Sequence, residues 1–138
     1  MLTLSVKDAV FNFGGTKIYL PDICANLKTP DRNILVIKGR IGSGKTLLLK
    51  ALGGAIAPES GNISLTDDSG SVSGWYVHSQ AEFNFVTGIV ADELDFAGVD
   101  KAPFKKYLKR NVNEMSGGEL KALSVRMAVE AATGAVFL

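Results

Sequence analysis

Gly39-Arg40-Ile41-Gly42-Ser43-Gly44-Lys45-Thr46 follows the apolar run Ile34-Leu35-Val36-Ile37 and precedes Leu47-Leu48-Leu49. Strand, glycine loop and helix start therefore arrive in the order that the P-loop pattern G-x-x-x-x-G-K-[ST] requires. Glycines accept dihedrals that other residues avoid, so the backbone can curl around an anion. The loop's N–H groups, with the positive N-terminus of the following helix, then face phosphates. Lys45 reaches the β- and γ-phosphates in this reading, and the Thr46 hydroxyl holds Mg²⁺. A glycine-rich turn between strand and helix can be only a turn, but here every fixed position is filled and both flanks agree. The stretch predicts a cradle for a nucleoside triphosphate.

Length and composition bound the rest. A chain of 138 residues has room for one domain of ordinary size. With 46% hydrophobic and 21% charged residues it reads as globular and soluble. A net charge of +1 gives no global field toward nucleic acid or an anionic membrane. The single cysteine, Cys24, excludes an internal disulfide and a cysteine-rich metal site, and reads as a buried, reduced thiol in an intracellular protein. No apolar stretch approaches the ~20 residues that span a bilayer. The N-terminus lacks a signal-peptide pattern.

Leu2, Leu4 and Val6 share one face of a first strand, and Phe11 and Phe13 continue the alternation. Gly14-Gly15 turns the chain into a returning strand at Ile18 to Leu20, predicting an antiparallel hairpin. Pro30-Asp31-Arg32-Asn33 reads as a turn. Ile34 to Ile37 lacks alternation, as expected of a strand covered on both faces in a parallel sheet. The helix after the P-loop is predicted to end near Gly53-Gly54. Ile63 and Leu65 belong to a short strand, Asp67 to Gly74 to an exposed turn, and Trp75 to His78 to another strand. From about Ala91 to Arg110 the pattern is helical, with Leu94, Phe104, Tyr107 and Leu108 apolar. A last helix covers about Gly117 to Ala132, where Leu120, Leu123, Met127 and Ala131 form one stripe. Ala135 to Leu138 starts a second buried-type strand.

Met115-Ser116-Gly117-Gly118-Glu119 opens that last helix. Ser-x-x-Glu is a capping box, which accounts for Ser116 and Glu119 but leaves the glycines unexplained, since they are poor helix formers. They make sense where a helix N-terminus must approach another molecule's phosphate closely. The P-loop, Gln80 and Ser-Gly-Gly-Glu before an apolar helix together resemble the ATP-binding cassette (ABC) ATPases, whose signature reads Leu-Ser-Gly-Gly-Gln. Met115 and Glu119 are departures from it. The connection Gly54-Ala55-Ile56-Ala57-Pro58-Glu59-Ser60-Gly61-Asn62-Ile63 also resembles the family's Gly-x-x-x-Pro-x-x-Gly-x-Ile.

The resemblance implies an α/β P-loop NTPase of the ABC type. It has a mixed sheet core, an N-terminal antiparallel β subdomain and an α-helical signature subdomain. Residues 1–79 correspond to the nucleotide-binding core with its β subdomain, 80–132 to the Q-loop and helical subdomain, and 133–138 to the start of the Walker B strand. ATP and Mg²⁺ are the implied cofactors. Gly39, Arg40, Ile41, Gly42, Ser43, Gly44, Lys45, Thr46 and Leu47 surround the phosphates, and Phe13 stacks on adenine, its other reading being a strand residue facing the core. Gln80 approaches Mg²⁺ and the attacking water, so Lys45 and Gln80 carry the catalytic roles and Thr46 and Gln80 the metal. Ser116, Gly117, Gly118 and Glu119 press onto the γ-phosphate held by a second subunit in a head-to-tail ATP sandwich. His78 has no implied role beyond ending a strand.

Departures accompany these likenesses. Leu47 lacks a hydroxyl that commonly contacts the α-phosphate, and Ala122 stands where arginine is common. Ala135 to Leu138 corresponds to the strand before the Walker B aspartate and glutamate, so the chain is expected to stop short of those acids and to be inactive alone. In the implied fold another strand from later sequence separates the P-loop and Walker B strands. These residues are therefore expected to belong to a longer chain, because an open slot leaves unpaired edges.

The implied partners are a second ABC ATPase subunit, identical or different, and an integral membrane transporter subunit. The implied location is the cytoplasm, peripheral on the inner face of the membrane, and no nucleic acid is expected. Gln80 to Phe96 is similar to the Q-loop segment of energy-coupling-factor ATPases, which power uptake of vitamins or of cobalt and nickel ions, although the usual proline after the glutamine is lacking. Phe83 and Phe85 then line a groove for a membrane subunit's helix, or else pack within the helical subdomain. A soluble ABC ATPase acting on ribosomes, DNA or iron–sulfur assembly is the alternative. Lys101, Lys105, Lys106, Lys109 and Arg110 would serve it, though such a row is more often a solvated face.

Overall fold

In a computed structural model, residues 1–28, 34–131 and 134–138 are described, and they form two compact units. Met1–Tyr76 with Phe137 makes the first; Val77–Val136 with Leu138 makes the second.

The first unit is built on one long strand. β1 (Leu2–Phe13) pairs antiparallel with β2 (Thr16–Tyr19), β3 (Ile23–Leu27) and β4 (Ser60–Asp67), and β4 pairs with β5 (Gly70–Ser71). Leu4 and Val6 are buried, and so are Ala9 and Phe11, so the inward positions change from even to odd numbers along one strand. A bulge explains the switch. Asp8 has φ 50°, and the register with β4 shifts between Lys7 and Val10. The Asp8 N–H donates to Asp22 Oδ1 at 2.8 Å. Gly61 on β4 passes so close to the Asp8 carbonyl that a Cβ would collide with it.

The hairpin expected at Gly14-Gly15 is present, with Phe13 opposite Thr16. β3 was not foreseen, and it corrects the reading of Cys24. Ile23, Ala25 and Leu27 are half-buried, which turns Cys24 and Asn26 outward, and the thiol is exposed. The segment from Asp67 to Gly74 is more ordered than a turn, because Thr66 and Asp67 pair with Ser71 and Gly70. β6 covers Gly74–Tyr76, one residue earlier than the predicted start.

Ile34–Ile37 does not form the predicted strand. Ile34 is 90% exposed, and Leu35 and Val36 are exposed too. A parallel strand exists through ladder bonds to neighbours on both sides, and no strand pairing among the described residues includes this run. The turn expected at Pro30 to Asn33 lies outside the described residues. α1 (Lys45–Leu52) follows the glycine loop, buries Leu48 and Leu52, and ends at Gly53 as expected.

The second unit packs α2 (Val90–Ala97) and α3 (Gly117–Ala131) around Val90, Leu94, Val99, Phe104, Val112, Met115, Leu123 and Met127. Fully burying a side chain the size of Phe104 contributes about 2–3 kcal/mol. The helical pattern predicted for about 91–110 is interrupted. Gly98 takes a left-handed conformation at the end of α2, and Pro103 lies in a short 3-10 turn over Ala102–Phe104. Tyr107 and Leu108 still pack on the core, as do Leu120 and Ala131 of the predicted stripe. Ala132 lies outside the described residues. β7 (Ala135–Phe137) forms where a strand was expected. No helix among the described residues is long and apolar enough to cross a membrane.

Candidate functional site

The glycine loop turns through two left-handed residues, Gly42 at φ 80° and Gly44 at φ 86°. The Ser43 N–H donates to Arg40 O at 3.2 Å, closing the loop. A Cβ on Gly39 would stand 2.7 Å from Ser43 Oγ, so a side chain there would have to push that hydroxyl aside. Gly44 is the residue before α1; no side chain caps the helix, and its first turn holds no acidic residue. The first N–H groups of an α-helix lack intrahelical partners, and neither a capping side chain nor an acid in the first turn meets them among the described residues. Lys45 Nζ donates back into the loop, to Gly39 O at 2.8 Å and Arg40 O at 2.7 Å, with Ser43 Oγ 3.5 Å away. Thr46 is exposed.

Phe13 is 51% exposed and lies parallel to the buried ring of Phe11, the centroids 6.4 Å apart. It lines an open groove of about 590 Å³ with Asn12, Gly14, Gly15 and Ile56 to Glu59. Asn12 Oδ1 accepts the Gly15 N–H at 3.0 Å and fixes the turn beside it. Phe13 does not face the core, since about half of its surface is exposed. The P-loop residues are not part of that groove lining.

The other predicted residues belong to the second unit. Exposed Gln80 precedes a 3-10 turn over Ala81–Asn84, and its N–H donates to His78 Nδ1 at 3.1 Å. His78 is more than a strand end: its N–H reaches Asn84 Oδ1 at 2.6 Å and its carbonyl accepts from Lys121 Nζ at 3.0 Å. The capping box is formed. Ser116 Oγ accepts the Glu119 N–H at 3.3 Å, and the Ser116 N–H donates to Glu119 Oε2 at 3.0 Å. A Cβ on Gly117 or Gly118 would meet open space, and neither has positive φ, so nothing among the described residues demands glycine there.

Arg110 Nη1 donates to Glu119 Oε1 at 2.7 Å. This bond, followed by that from the Ser116 N–H, lowers the Glu119 carboxyl from 4.5 to about 2. Its folded pKa is depressed, so its contribution to stability is present above pH 4.5 and is lost as pH falls through 4.5 toward 2. A carbon NMR titration of the Glu119 carboxyl is expected to show a midpoint near 2; a midpoint near 4.5 would contradict the Arg110 contact.

The family profile described as ABC transporter matches residues 24–134. The chain belongs to the ABC transporter family. It is similar to the taurine import ATP-binding protein TauB of Pseudomonas putida, 30% identical over 137 residues, covering 86% of this chain and 52% of that protein. An uncharacterised ABC transporter ATP-binding protein of Mycobacterium tuberculosis is 27% identical over 156 residues, covering 93% and 47%. The chain thus spans about half the length of these curated relatives. Among solved structures, it is similar in fold to cbiO1 from Clostridium perfringens, part of the ABC transporter complex cbiONQ. The TM-score is 0.60 at 17% identity, covering 93% of this chain and 61% of that one.

For an ABC family member, one structural group went unforeseen in the sequence. Glu93, 2% exposed, turns Oε1 toward the N–H groups of Val86 at 2.8 Å, Gly88 at 3.1 Å, and Thr87, and accepts the Thr87 hydroxyl at 2.8 Å. The signal was available: Val90, Glu93, Leu94 and Ala97 share one helix face, which puts an acid on an apolar stripe. Phe83 is 65% exposed while Phe85 packs on the core, so the two aromatics of this ABC segment divide between surface and interior. Among the described residues no cluster of three or more His, Cys, Asp or Glu could hold a metal. The Thr46 hydroxyl in the first unit and the Gln80 amide in the second are each hard oxygen donors of the kind that Mg²⁺ accepts.

Proposed function

We propose that this chain is the ATP-binding part of an ABC transporter subunit that hydrolyses ATP to power uptake across a membrane. The observation that carries the reading is the uncapped N-terminus of α1 behind a glycine loop that Lys45 already spans. Phosphate oxygens would replace the loop carbonyls as acceptors for Lys45, and the helix N-terminus would add its partial positive charge. Thr46 and Gln80 would hold Mg²⁺, which neutralises charge on the phosphates when bound. Gly39 to Leu47 would line the phosphates, and the exposed ring of Phe13 would carry the adenine.

The triphosphate would then join two subunits head to tail. Gly117 and Gly118 keep the start of α3 open to close approach, and Ser116 and Glu119 frame it, so a second subunit's γ-phosphate could sit there. Closure around ATP and reopening after hydrolysis would move a membrane partner. The importer named among the relatives supports uptake as the direction, and the segment from Gln80 to Phe96 supports vitamins or cobalt and nickel ions as cargo classes. The work would take place on the cytoplasmic face.

Ser116→Arg tests the sandwich. The arginine fills the approach at the start of α3, so the full-length variant is expected to bind ATP normally and to stay monomeric by light scattering. Dimerisation with ATP at the wild-type level would contradict the arrangement.

A further inference from the structure

The turn before α3 already holds an anion of its own. The Ser116 N–H and hydroxyl both donate to Glu119 Oε2, at 3.0 and 3.2 Å. Arg110 grips the same carboxylate, with Nη1 2.7 Å from Oε1 and Nη2 3.5 Å from Oε2. Serine, glutamate and arginine all lie in the second unit, and the glycines between Ser116 and Glu119 leave open space beside them. We propose that Glu119 is an internal stand-in for the partner subunit's γ-phosphate, and that Arg110 is the positioning residue that retains its carboxylate when the phosphate takes over the Ser116 donors. This deepens the sandwich reading above and rests on it.

The chemistry is one of competition. A serine hydroxyl has one proton to donate, and here it points at Glu119. A carboxylate and a phosphate cannot share that donor without two like charges meeting. One anion must withdraw. The positive N-terminus of α3 favours keeping the carboxylate; the guanidinium opposes this with a planar fork of donors. Arg110 also cancels the carboxylate charge, so the approaching triphosphate meets a turn without net repulsion. Removing Arg110 leaves Glu119 bound to Ser116 and facing the phosphate unneutralised. Replacing Glu119 with glutamine keeps a capping group but removes the competing charge.

The experiment measures, for the full-length subunit, the concentration of a non-hydrolysable ATP analogue with Mg²⁺ that gives half-maximal dimerisation by light scattering. Arg110→Met is expected to raise it roughly tenfold, the factor that one pKa unit of interaction represents. Glu119→Gln is expected to lower it, and Arg110→Met added to Glu119→Gln to change it less than about twofold. Arg110→Lys, which keeps the charge but not the fork, falls between. An equal shift for Arg110→Met in both backgrounds would mark a merely structural contact and overturn the proposal. So would a Glu119→Gln protein that needs as much nucleotide as wild type, whatever the folding of the Arg110 variants. Failure of wild type itself to dimerise would overturn the sandwich reading along with this one.

Discussion

Lys45→Ala is expected to weaken ATP binding at least about a hundredfold, because the ammonium makes charged hydrogen bonds worth about 1.5–3 kcal/mol each to groups it faces. In the free chain those groups are Gly39 O and Arg40 O. Both are loop carbonyls, so Lys45 is held at the loop it is proposed to serve, and alanine removes both the loop contact and the phosphate contact. Isothermal titration with ATP and Mg²⁺, with circular dichroism to verify folding, separates loss of binding from loss of structure. A folded variant with wild-type affinity would mean that Lys45 only braces the loop.

The second large effect is on stability. Glu93→Ala is expected to destabilise the protein by about 3 kcal/mol, since buried or half-buried N–H groups left without an acceptor cost about 1–3 kcal/mol each. The groups concerned are the N–H donors of Val86, Thr87 and Gly88 with the Thr87 hydroxyl, all directed at one carboxylate oxygen. Thermal unfolding should fall by on the order of 10 °C. Glu93→Gln retains an oxygen acceptor while losing the charge, so its loss should be about a third as large. Equal losses for the two variants would show that the carboxylate charge, and not the acceptor geometry, holds the loop.

The geometry of the glycine loop and of the capping box was legible because its physics is local. The P-loop is contiguous, and the turn at Gly42 and Gly44 has the positive φ that glycine permits. The capping box spans Ser116 to Glu119 and closes as its spacing predicts. What failed depended on neighbours distant in sequence. Ile34 to Ile37 has the composition of a buried strand, but composition cannot supply a ladder, and Ile34 stays exposed. β3 consists partly of small residues, and its pairing with Leu2 to Val6 is invisible to periodicity. Its alternation sends Cys24 outward, against the usual burial of a lone cysteine. The bulge at Asp8 needed a non-glycine residue at positive φ, which no sequence rule announces. Arg110 stood in a basic row that read as solvated face, and its partner Glu119 lies beyond the intervening turn.

The main-chain amides from Gly39 onward, with Lys45, are expected to grip a triphosphate. Equilibrium titration of the full-length subunit with fluorescent ATP and Mg²⁺ tests it most directly. Saturable binding with a Kd below about 1 mM, displaced by unlabelled ATP, is the expected result. No saturation at millimolar nucleotide by a folded protein would contradict it.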